Sequence, residues 1–339
     1  MPIRLAFVGF RHAHILGMVR HASEAEEFEV VAACEEDGAT RAALAAQGEV
    51  SITHDDFDDL LASVDCDAVA IGDYYAKRGG LAIRALSAGK HVISDKPPCT
   101  RLEELDEMAR LSSEKGSCIG CMLDMRDSAP AITARRLIRK GTIGEVHAIA
   151  FGGQHPLLLG SRPVWYFEPG KHGGTINDIG IHALDALPWI TGRRLTSVDA
   201  AHCWNAVAKD YPHFKGAAQL MLRMDNGGGV LGDVSYLAPD SSGYRIPFYW
   251  RQTFWGDKGV LEVSSTSDCV TLALDGEEGA RQVPLDAGTP GGYLSAFAHD
   301  VGGSTGEGEL CTEDVLRAAR IALLVQSAAD SGACHVPLP

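Results

Sequence analysis

The chain lacks several features that would place it in a specialised class of protein. No stretch approaches the roughly 18 consecutive apolar residues that a membrane-spanning helix needs. The apolar part of the start, MPIRLAFVGF, is too short for a secretory signal, and no internal repeat or low-complexity segment is present. We therefore expect a cytoplasmic globular protein, and its 339 residues favour two domains over one.

An excess of positive charge is also missing. The chain has 30 Lys and Arg residues against 45 Asp and Glu residues, which gives a formal net charge of −15. Nucleic acids and anionic membrane surfaces are polyanions, so this balance argues against nonspecific binding to either. We expect a small-molecule substrate, with no nucleic-acid or membrane partner.

A disulfide framework is not indicated either. The nine cysteines are an odd number, and they are scattered from Cys34 to Cys334, which is typical of free thiols in a reducing compartment. Cys118 and Cys121 have the CxxC spacing of redox or zinc sites, but no second CxxC follows. We interpret them as structural cysteines of a short buried strand, leave a redox role open, and expect no metal site.

The first third of the chain alternates apolar strands with amphipathic helices. Strand-like runs such as IRLAFVGF, EVVAAC, CDAVAIG, KHVIS and SCIGCML are separated by helical stretches such as HILGMVRHASEA, GGLAIRALSAG and LEELDEMARLSSEKG. Near-continuous apolar strands in this alternation are typical of a parallel sheet covered on both faces. We predict an α/β fold that begins with a doubly wound Rossmann domain over residues 1–125.

After a further helix, ITARRLIRKGTIG, the pattern changes. Strand-like runs from VHAIAFGG to CVTLALDG, RIPFYWRQTFWG among them, are mostly joined by Gly/Asp/Asn turns, and a last helix, TEDVLRAARIALLVQSAADSG, closes on Gly332. This pattern predicts a second domain over residues 126–339, an α+β domain with a large, mostly antiparallel sheet.

The turn after the first strand is the expected dinucleotide site. In the G-x-G-x-x-G fingerprint, backbone amides and a helix N-terminus face the pyrophosphate. Here the stretch is Gly9–Phe10–Arg11–His12–Ala13–His14, in which only the first glycine remains. Arg11 could compensate by pairing with the pyrophosphate. Glu35, at the end of the second strand, suits the ribose hydroxyls of NAD and disfavours NADP.

Another chemically informative segment is AGKHVISDKPPCT, residues 88–100. Its strand brings Asp95 and Lys96 to the carboxyl edge of the sheet, where ligands bind in such folds, and Pro97 and Pro98 fix the backbone. A partly desolvated lysine near a cofactor can act as an acid, a base or an orienting group. The alternative is a simple surface charge.

The segment GGTINDIGIHALD, residues 173–185, is polar where a core helix would be apolar. If it is one helix, Asp178, His182 and Asp185 stand at i, i+4 and i+7, on a single stripe. The stripe is either an active-site wall or an ordinary solvated face. On the first interpretation His182 exchanges the proton of the reacting hydroxyl, Asp178 orients it, and Asp185 supports His182.

In their order along nearly the whole chain, these motifs resemble the Gfo/Idh/MocA family of NAD(P)-dependent oxidoreductases. The family's E-K-P motif is similar to Asp95–Lys96–Pro97, and its G-G-G-x-x-x-D-x-G-x-H-x-x-D motif is similar to the stretch from Gly173 to Asp185. The resemblance implies that Lys96, Asp178 and His182 line the substrate pocket at the nicotinamide, with Lys96 facing the other two across a cleft. It also implies a homodimer or homotetramer formed through the open sheet.

The same resemblance bears on two turns of the cofactor cleft. Where the family usually has Thr-Pro after the strand near residue 71, this chain has Gly72–Asp73–Tyr74–Tyr75, of which Gly72, Asp73 and Tyr74 are expected to contact the dinucleotide. The SDKPP turn is expected to be rigid, with a cis bond before Pro97 or Pro98. Arg126, Trp165, Tyr166 and His172 are further candidates for the substrate pocket, the alternative for each being a purely structural role.

Three functions agree with these features. The first is an NAD-dependent dehydrogenase or reductase that moves hydride between nicotinamide and a carbinol or carbonyl carbon of a sugar, inositol or related polyol, with Lys96, Asp178 and His182 as catalytic residues. The second is a hydrolase or lyase that uses bound NAD transiently, as some relatives do in glycoside cleavage. The third is a dinucleotide-binding regulatory protein, against which the retained proton-transfer groups argue.

Overall fold

A five-stranded parallel sheet forms the centre of the first of two compact units. The computed structural model describes residues 1–339, and the first unit comprises Met1–Met122, Gly170–Gly173 and Gly291–Ala319. Its strands are β1 (Ile3–Val8), β2 (Phe28–Cys34), β3 (Ala68–Ile71), β4 (His91–Ser94) and β5 (Ile119–Cys121). They lie in the order β2-β1-β3-β4-β5, and every neighbouring pair is parallel.

Five helices connect these strands. They are α1 (His14–Glu24), α2 (Gly38–Gln47), α3 (Phe57–Ser63), α4 (Tyr75–Ser87) and α5 (Leu102–Lys115). All four residues of β3 are buried, as expected for a strand whose two faces are both covered. The predicted alternation of strand and helix is confirmed, apart from α3, which the sequence interpretation missed.

The second unit is built on a nine-stranded sheet and comprises Leu123–Pro169, Gly174–Pro290 and Arg320–Pro339. Its strands are β6 (Val146–Pro156), β7 (Leu195–Trp204), β8 (Ala217–Met224), β9 (Gly229–Ala238), β10 (Arg251–Gly256), β11 (Gly259–Val263), β12 (Cys269–Leu274), β13 (Arg281–Pro284) and β14 (Val336–Pro337). The order is β13-β12-β11-β10-β6-β9-β8-β7-β14. Only β6 and β9 pair in parallel, so the prediction of a mostly antiparallel sheet is confirmed.

Residues of β8 and β9 alternate between buried and exposed, so one face of the sheet is packed and the other is open. Met221, Leu231 and Trp255 are exposed on these strands and on β10. The helices of the second unit are α6 (Ala129–Arg139) and α7 (Ile181–Thr191). None of the chain's helices combines the length and apolar character that crossing a membrane requires.

The division into units differs from the predicted boundary between residues 125 and 126. Two further helices follow the second sheet, α8 (Gly292–Val301) and α9 (Thr312–Ser331). α8 belongs to the first unit because its Tyr293, Leu294 and Phe297 are buried in the core formed by β1, β3 and α1. The segment from Thr312 to Ala319 of α9 is also part of the first unit, and the rest of α9 is part of the second.

Two local predictions are wrong. The stretch RIPFYWRQTFWG forms a strand only from Arg251 onward, because residues 246–250 turn and Trp250 has a φ of 51°. The stretch around Asp178 is not one regular helix: Ile176–Gly180 is a π-helix that precedes α7. Hydrogen bonds in a π-helix join residues five apart, so the i, i+4, i+7 stripe does not hold across this junction.

Candidate active site

The first unit presents three turns at the carboxyl edge of its sheet. The strand order reverses between β1 and β3, and ligands of doubly wound sheets bind at such a switch point. The turn after β1 begins at Gly9, that after β3 at Gly72, and that after β4 at Asp95. The predicted cofactor residues of these three turns therefore share one edge of the sheet.

Gly9, the remaining glycine of the fingerprint, is required by close packing. Its φ is 78°, and a Cβ placed on it would lie 2.6 Å from the Cβ of Asp73. The Asp73 backbone N–H donates to the Gly9 carbonyl at 3.0 Å. The turns after β1 and β3 are thus fixed directly to one another.

Glu35 follows β2 and is fully buried. One of its carboxylate oxygens accepts from the Phe10 backbone N–H at 2.5 Å and the other from the Asp37 N–H at 2.8 Å. Burial is the main cause that raises the pKa of Glu35 above its ordinary value. Its neighbour Glu36 is the more accessible acid, and the Glu36 carboxylate lies 2.7 Å from Lys77 Nζ. The sequence interpretation missed Glu36.

Arg11 pairs with Asp73 instead of standing free. Its Nε lies 2.7 Å from Asp73 Oδ1, its Nη2 donates to Oδ2 at 2.9 Å, and its guanidinium lies 4.6 Å from the centre of the Tyr74 ring. Lys77 Nζ is 3.3 Å from Asp73, and Lys171 Nζ is 5.0 Å from the Tyr74 ring centre. Three cations therefore surround the Asp73–Tyr74 turn.

His12 and Asp95 form a buried pair beside Lys96. His12 Nδ1 lies 2.5 Å from Asp95 Oδ2, and His12 Nε2 lies 3.4 Å from the Tyr75 hydroxyl. Burial lowers the pKa of His12 to about 3, so its ring is neutral and Nδ1–H donates to the carboxylate. The His172 ring lies 5.3 Å from the Tyr75 ring, within the same unit.

Arg78 is a fully buried residue that the sequence interpretation missed. Its Nη2 donates to Asp95 Oδ2 at 2.7 Å, and its Nη1 donates to the carbonyls of Lys96 and Pro97. Burial alone would raise the pKa of Asp95, but Arg78, His12 and His14 hold it well below its usual value. Arg78 thus fixes the backbone on which the buried Lys96 is mounted, and the Lys96–Pro97 peptide is cis, as predicted for this turn.

His12, His14 and Asp95 place possible metal-ligand atoms within 4.8 Å of one another. Asp95 is already neutralised by the Arg78 guanidinium, and a divalent cation would have to share that carboxylate with a fixed positive charge. We therefore assign the cluster to ion pairing and hydrogen bonding.

In the second unit, Asp178 is held by a tyrosine. The Tyr236 hydroxyl at the end of β9 donates to Asp178 Oδ2, and both residues are buried. Burial, and next the Asp178 charge, raise the pKa of Tyr236 well above its ordinary value, so it remains a donor. Fifty-eight positions separate the two residues, so only the fold reveals this pair.

The π-helix that carries Asp178 is anchored by Gln326 of α9. Gln326 Oε1 accepts from the Ile176 N–H at 2.9 Å. A Cβ on Gly174, whose φ is 98°, would lie 2.2 Å from Gln326 Cδ. The glycine of the GGT motif is therefore required for this anchor.

His182 and Asp185 of α7 have different partners. His182 Nδ1 lies 3.6 Å from Asp124 Oδ1, and its ring lies 5.8 Å from that of Trp250. Asp185 instead makes a bidentate pair with Arg126, at 2.8 Å to Nε and 2.6 Å to Nη2. Asp124 therefore lies near His182 but beyond hydrogen-bond distance, and the role of Asp185 in supporting His182 stays a prediction.

The remaining predicted pocket residues are buried aromatic or charged groups. Trp165 lies in a 3₁₀ turn, Val164–Phe167, and stacks on Tyr166 with ring centres 4.2 Å apart. The paired and buried Arg126 shares its unit with Trp165, whereas His172 and Lys96 are in the first unit. The assignment of Arg126, Trp165 and His172 to substrate binding stays a prediction.

Comparison with known proteins identifies relatives of both units. Residues 3–122 match the family described as "Oxidoreductase family, NAD-binding Rossmann fold", and residues 131–262 match the "GFO/IDH/MocA C-terminal domain". The sequence is 28% identical to 1,5-anhydro-D-fructose reductase of Ensifer adhaerens over 94% of this chain and 92% of that protein. The match to D-xylose dehydrogenase of Paenarthrobacter nicotinovorans, at 25% identity, is partial and covers 57% of this chain and 53% of that protein.

The fold is also that of solved structures. The structure of an inositol dehydrogenase homolog complexed with NAD+ from Azotobacter vinelandii has a TM-score of 0.81 and 19% identity, covering 99% of this chain and 97% of that one. The chain belongs to the Gfo/Idh/MocA family of oxidoreductases.

Proposed function

We propose that the protein is an NAD-dependent dehydrogenase or reductase acting on a carbinol or carbonyl carbon of a sugar, inositol or related polyol. The observation that carries the proposal is the pair of buried proton-transfer groups on the motif of the second unit, Asp178 bonded to Tyr236 and His182 beside Asp124. Relatives named as a sugar reductase and a sugar dehydrogenase support the substrate class.

The residues at the sheet edge of the first unit fit a dinucleotide. α1 begins without a side-chain cap, so its first backbone N–H groups can face a pyrophosphate. Arg11, Lys77 and Lys171 add positive charge around the Asp73–Tyr74 turn. The acidic pair Glu35 and Glu36 favours the ribose hydroxyls of NAD over the additional phosphate of NADP. A nicotinamide cofactor held by these residues would supply or accept the hydride.

The chain's own residues handle the proton of the reacting hydroxyl. His182 takes this proton in the oxidative direction and returns it in the reverse direction, and the Asp124 carboxylate, 3.6 Å from Nδ1, stabilises the protonated ring. Asp178, fixed by the Tyr236 hydroxyl, accepts a hydrogen bond from the substrate and orients it. Lys96 of the first unit, on the backbone clamped by Arg78, is a further proposed acid, base or orienting group.

We further propose that copies of the chain associate through the open face of the nine-stranded sheet, as a homodimer or homotetramer. Exposed Met221 and Leu231 are directly paired across β8 and β9, and Trp255 is exposed on β10. An apolar patch of this kind is typical of an interface. Nine free cysteines support function in a reducing compartment such as the cytoplasm.

The proposal is tested with a panel of sugars, polyols and sugar acids, each supplied with NAD or NADP. We expect nicotinamide absorbance to rise or fall with one group of these compounds. Turnover of a glycoside without net NADH formation would contradict the dehydrogenase assignment, and so would the absence of any turnover.

A further inference from the structure

Arg162 of the second unit is held in a fixed orientation. Its Nε donates to the Leu157 carbonyl at 2.8 Å and its Nη2 to the Pro156 carbonyl at 2.8 Å. The guanidinium carbon lies 4.6 Å from the centre of the Tyr166 ring and 5.1 Å from that of Tyr236. Two backbone carbonyls and two aromatic rings thus determine where its remaining N–H groups lie.

This arginine differs from the chain's other immobilised arginines in having no carboxylate partner. Arg78 pairs with Asp95 and Arg126 with Asp185, each at less than 3 Å. Arg162 is only partly exposed, and the carboxylate that influences it, that of Asp178, acts through space without a hydrogen bond. Nη1 and the second N–H of Nη2 are left without an acceptor in the chain.

The position of this cation is tied to the catalytic residues of the proposed function. Tyr236 donates its hydroxyl to Asp178 and presents its ring to Arg162. Tyr236 therefore contacts both groups, and Arg162 lies within the length of one tyrosine side chain from Asp178. The rings of Tyr166 and Tyr236 are themselves buried, and they form a rigid support behind the guanidinium.

We propose that Arg162 binds a carboxylate of the substrate, so that the enzyme acts on a sugar acid in preference to a neutral sugar. The planar Nη1/Nη2 edge matches the two oxygens of a carboxylate. A single guanidinium balances a single negative charge, which favours a carboxylate over a dianionic phosphate. This inference rests on the proposed dehydrogenase function and specifies its substrate class.

The test compares matched substrates in the wild-type enzyme with NAD. The pairs are D-glucose with D-glucuronate and D-galactose with D-galacturonate. For each pair, two further compounds are assayed separately: the neutral methyl ester of the uronate and the corresponding sugar 6-phosphate. We expect kcat/KM for at least one uronate to exceed that of its neutral sugar and ester by about 10-fold or more, the effect of a charge-assisted hydrogen bond.

Variants then assign the selectivity to Arg162. Arg162→Met is expected to lower the ratio of acid to neutral kcat/KM by about 10- to 100-fold, chiefly through KM, and Arg162→Lys by less because the charge remains. Arg194→Met, which removes an exposed arginine of the same unit, is the control and should leave the ratio unchanged. The ester comparison needs no variant and holds even if Arg162→Met fails to fold.

Each failure is distinguishable. If kcat/KM for the neutral sugars or esters equals that for the acids, the carboxylate site is overturned and the dehydrogenase function is left intact. A preference for sugar phosphates would also overturn it. If no compound in either form is turned over with either cofactor, the proposed function itself is contradicted.

Discussion

Arg78 Nη2 donates to Asp95 Oδ2 across 2.7 Å, and both side chains are completely buried. The same guanidinium donates to the carbonyls of Gly72, Asp73, Lys96 and Pro97. One side chain therefore joins the turn after β3 to the turn after β4, which carries Lys96. Arg78 is a positioning residue that acts through the backbone of the proposed catalytic lysine.

We expect Arg78→Met to lower the free energy of unfolding by about 3–5 kcal/mol, because it leaves the Asp95 charge buried and unpaired. Denaturant unfolding measures the change. Arg84→Met, on the same helix and paired with Asp58 at the surface, is the matched control and should cost about 0–1 kcal/mol. Equal losses in the two variants would show that Arg78 does not act as a buried clamp.

The pH dependence of stability should report on His12. Its pKa is about 3 in the folded protein because burial disfavours the charged ring, against about 6.5 in an unfolded chain. Between these values the unfolded state binds more protons, so the free energy of unfolding falls as pH drops below about 6.5, by up to about 1.4 kcal/mol per pH unit. Asp95, whose folded pKa is also depressed, contributes stability that is lost only at lower pH, below about 4.

Replacing His12 by Gln should flatten this slope between pH 5 and pH 6.5. The exposed His147→Gln is the control and should retain it. Unfolding curves at several pH values with the same slope in wild type and His12→Gln would mean that His12 is not the buried neutral base described here.

Cofactor preference should depend on the acidic pair after β2. We expect the wild type to favour NAD over NADP. Glu35→Ser should narrow the preference, but it also removes the acceptor of two backbone N–H groups. Glu36→Arg changes the charge of the pair and leaves the two hydrogen bonds of Glu35 in place, so it is the cleaner test. Equal kcat/KM for the two cofactors in the unmodified enzyme is incompatible with this role.

Tyr236→Phe tests the support of Asp178. Loss of a hydrogen bond to a charged group should reduce kcat by about 10-fold while NAD affinity is retained. Tyr211→Phe, another tyrosine of the second unit, stacked on Phe167, serves as the control. Unchanged kcat in Tyr236→Phe would indicate that Asp178 needs no orienting partner.

The sequence predicts an element best where neighbouring residues alone carry the signal for it. Buried apolar runs identify β1 and β3, and Asp95–Lys96–Pro97 marks the end of a strand by its composition. The partner of Asp95 was not predictable, because Arg78 lies on the preceding helix, α4, with no motif of its own. Tyr236, Asp124 and Arg162 meet their partners only through the second sheet or its connecting turns.

The errors have equally specific causes. A π-helix has no distinct sequence pattern, so the stripe from Asp178 to Asp185 was interpreted with α-helical spacing. The partner of Asp185 lies outside its helix, because Arg126 of a separate 3₁₀ turn pairs with it and no pattern within the helix indicates this. α8 follows the second sheet in sequence, and only its buried aromatic residues reveal that it belongs to the first unit.

The most direct test of the account is the turnover of His182→Ala with the best substrate of the panel and saturating NAD. Removal of a positioned acid or base should lower kcat by roughly 10² to 10⁴ with folding and NAD affinity preserved. Lys96→Ala should be at least as damaging, and the double variant should lose less than the product of the single losses, because both act on one step. The exposed His202→Ala is the matched control and should remain fully active. Wild-type turnover in His182→Ala would contradict the proposed catalytic role.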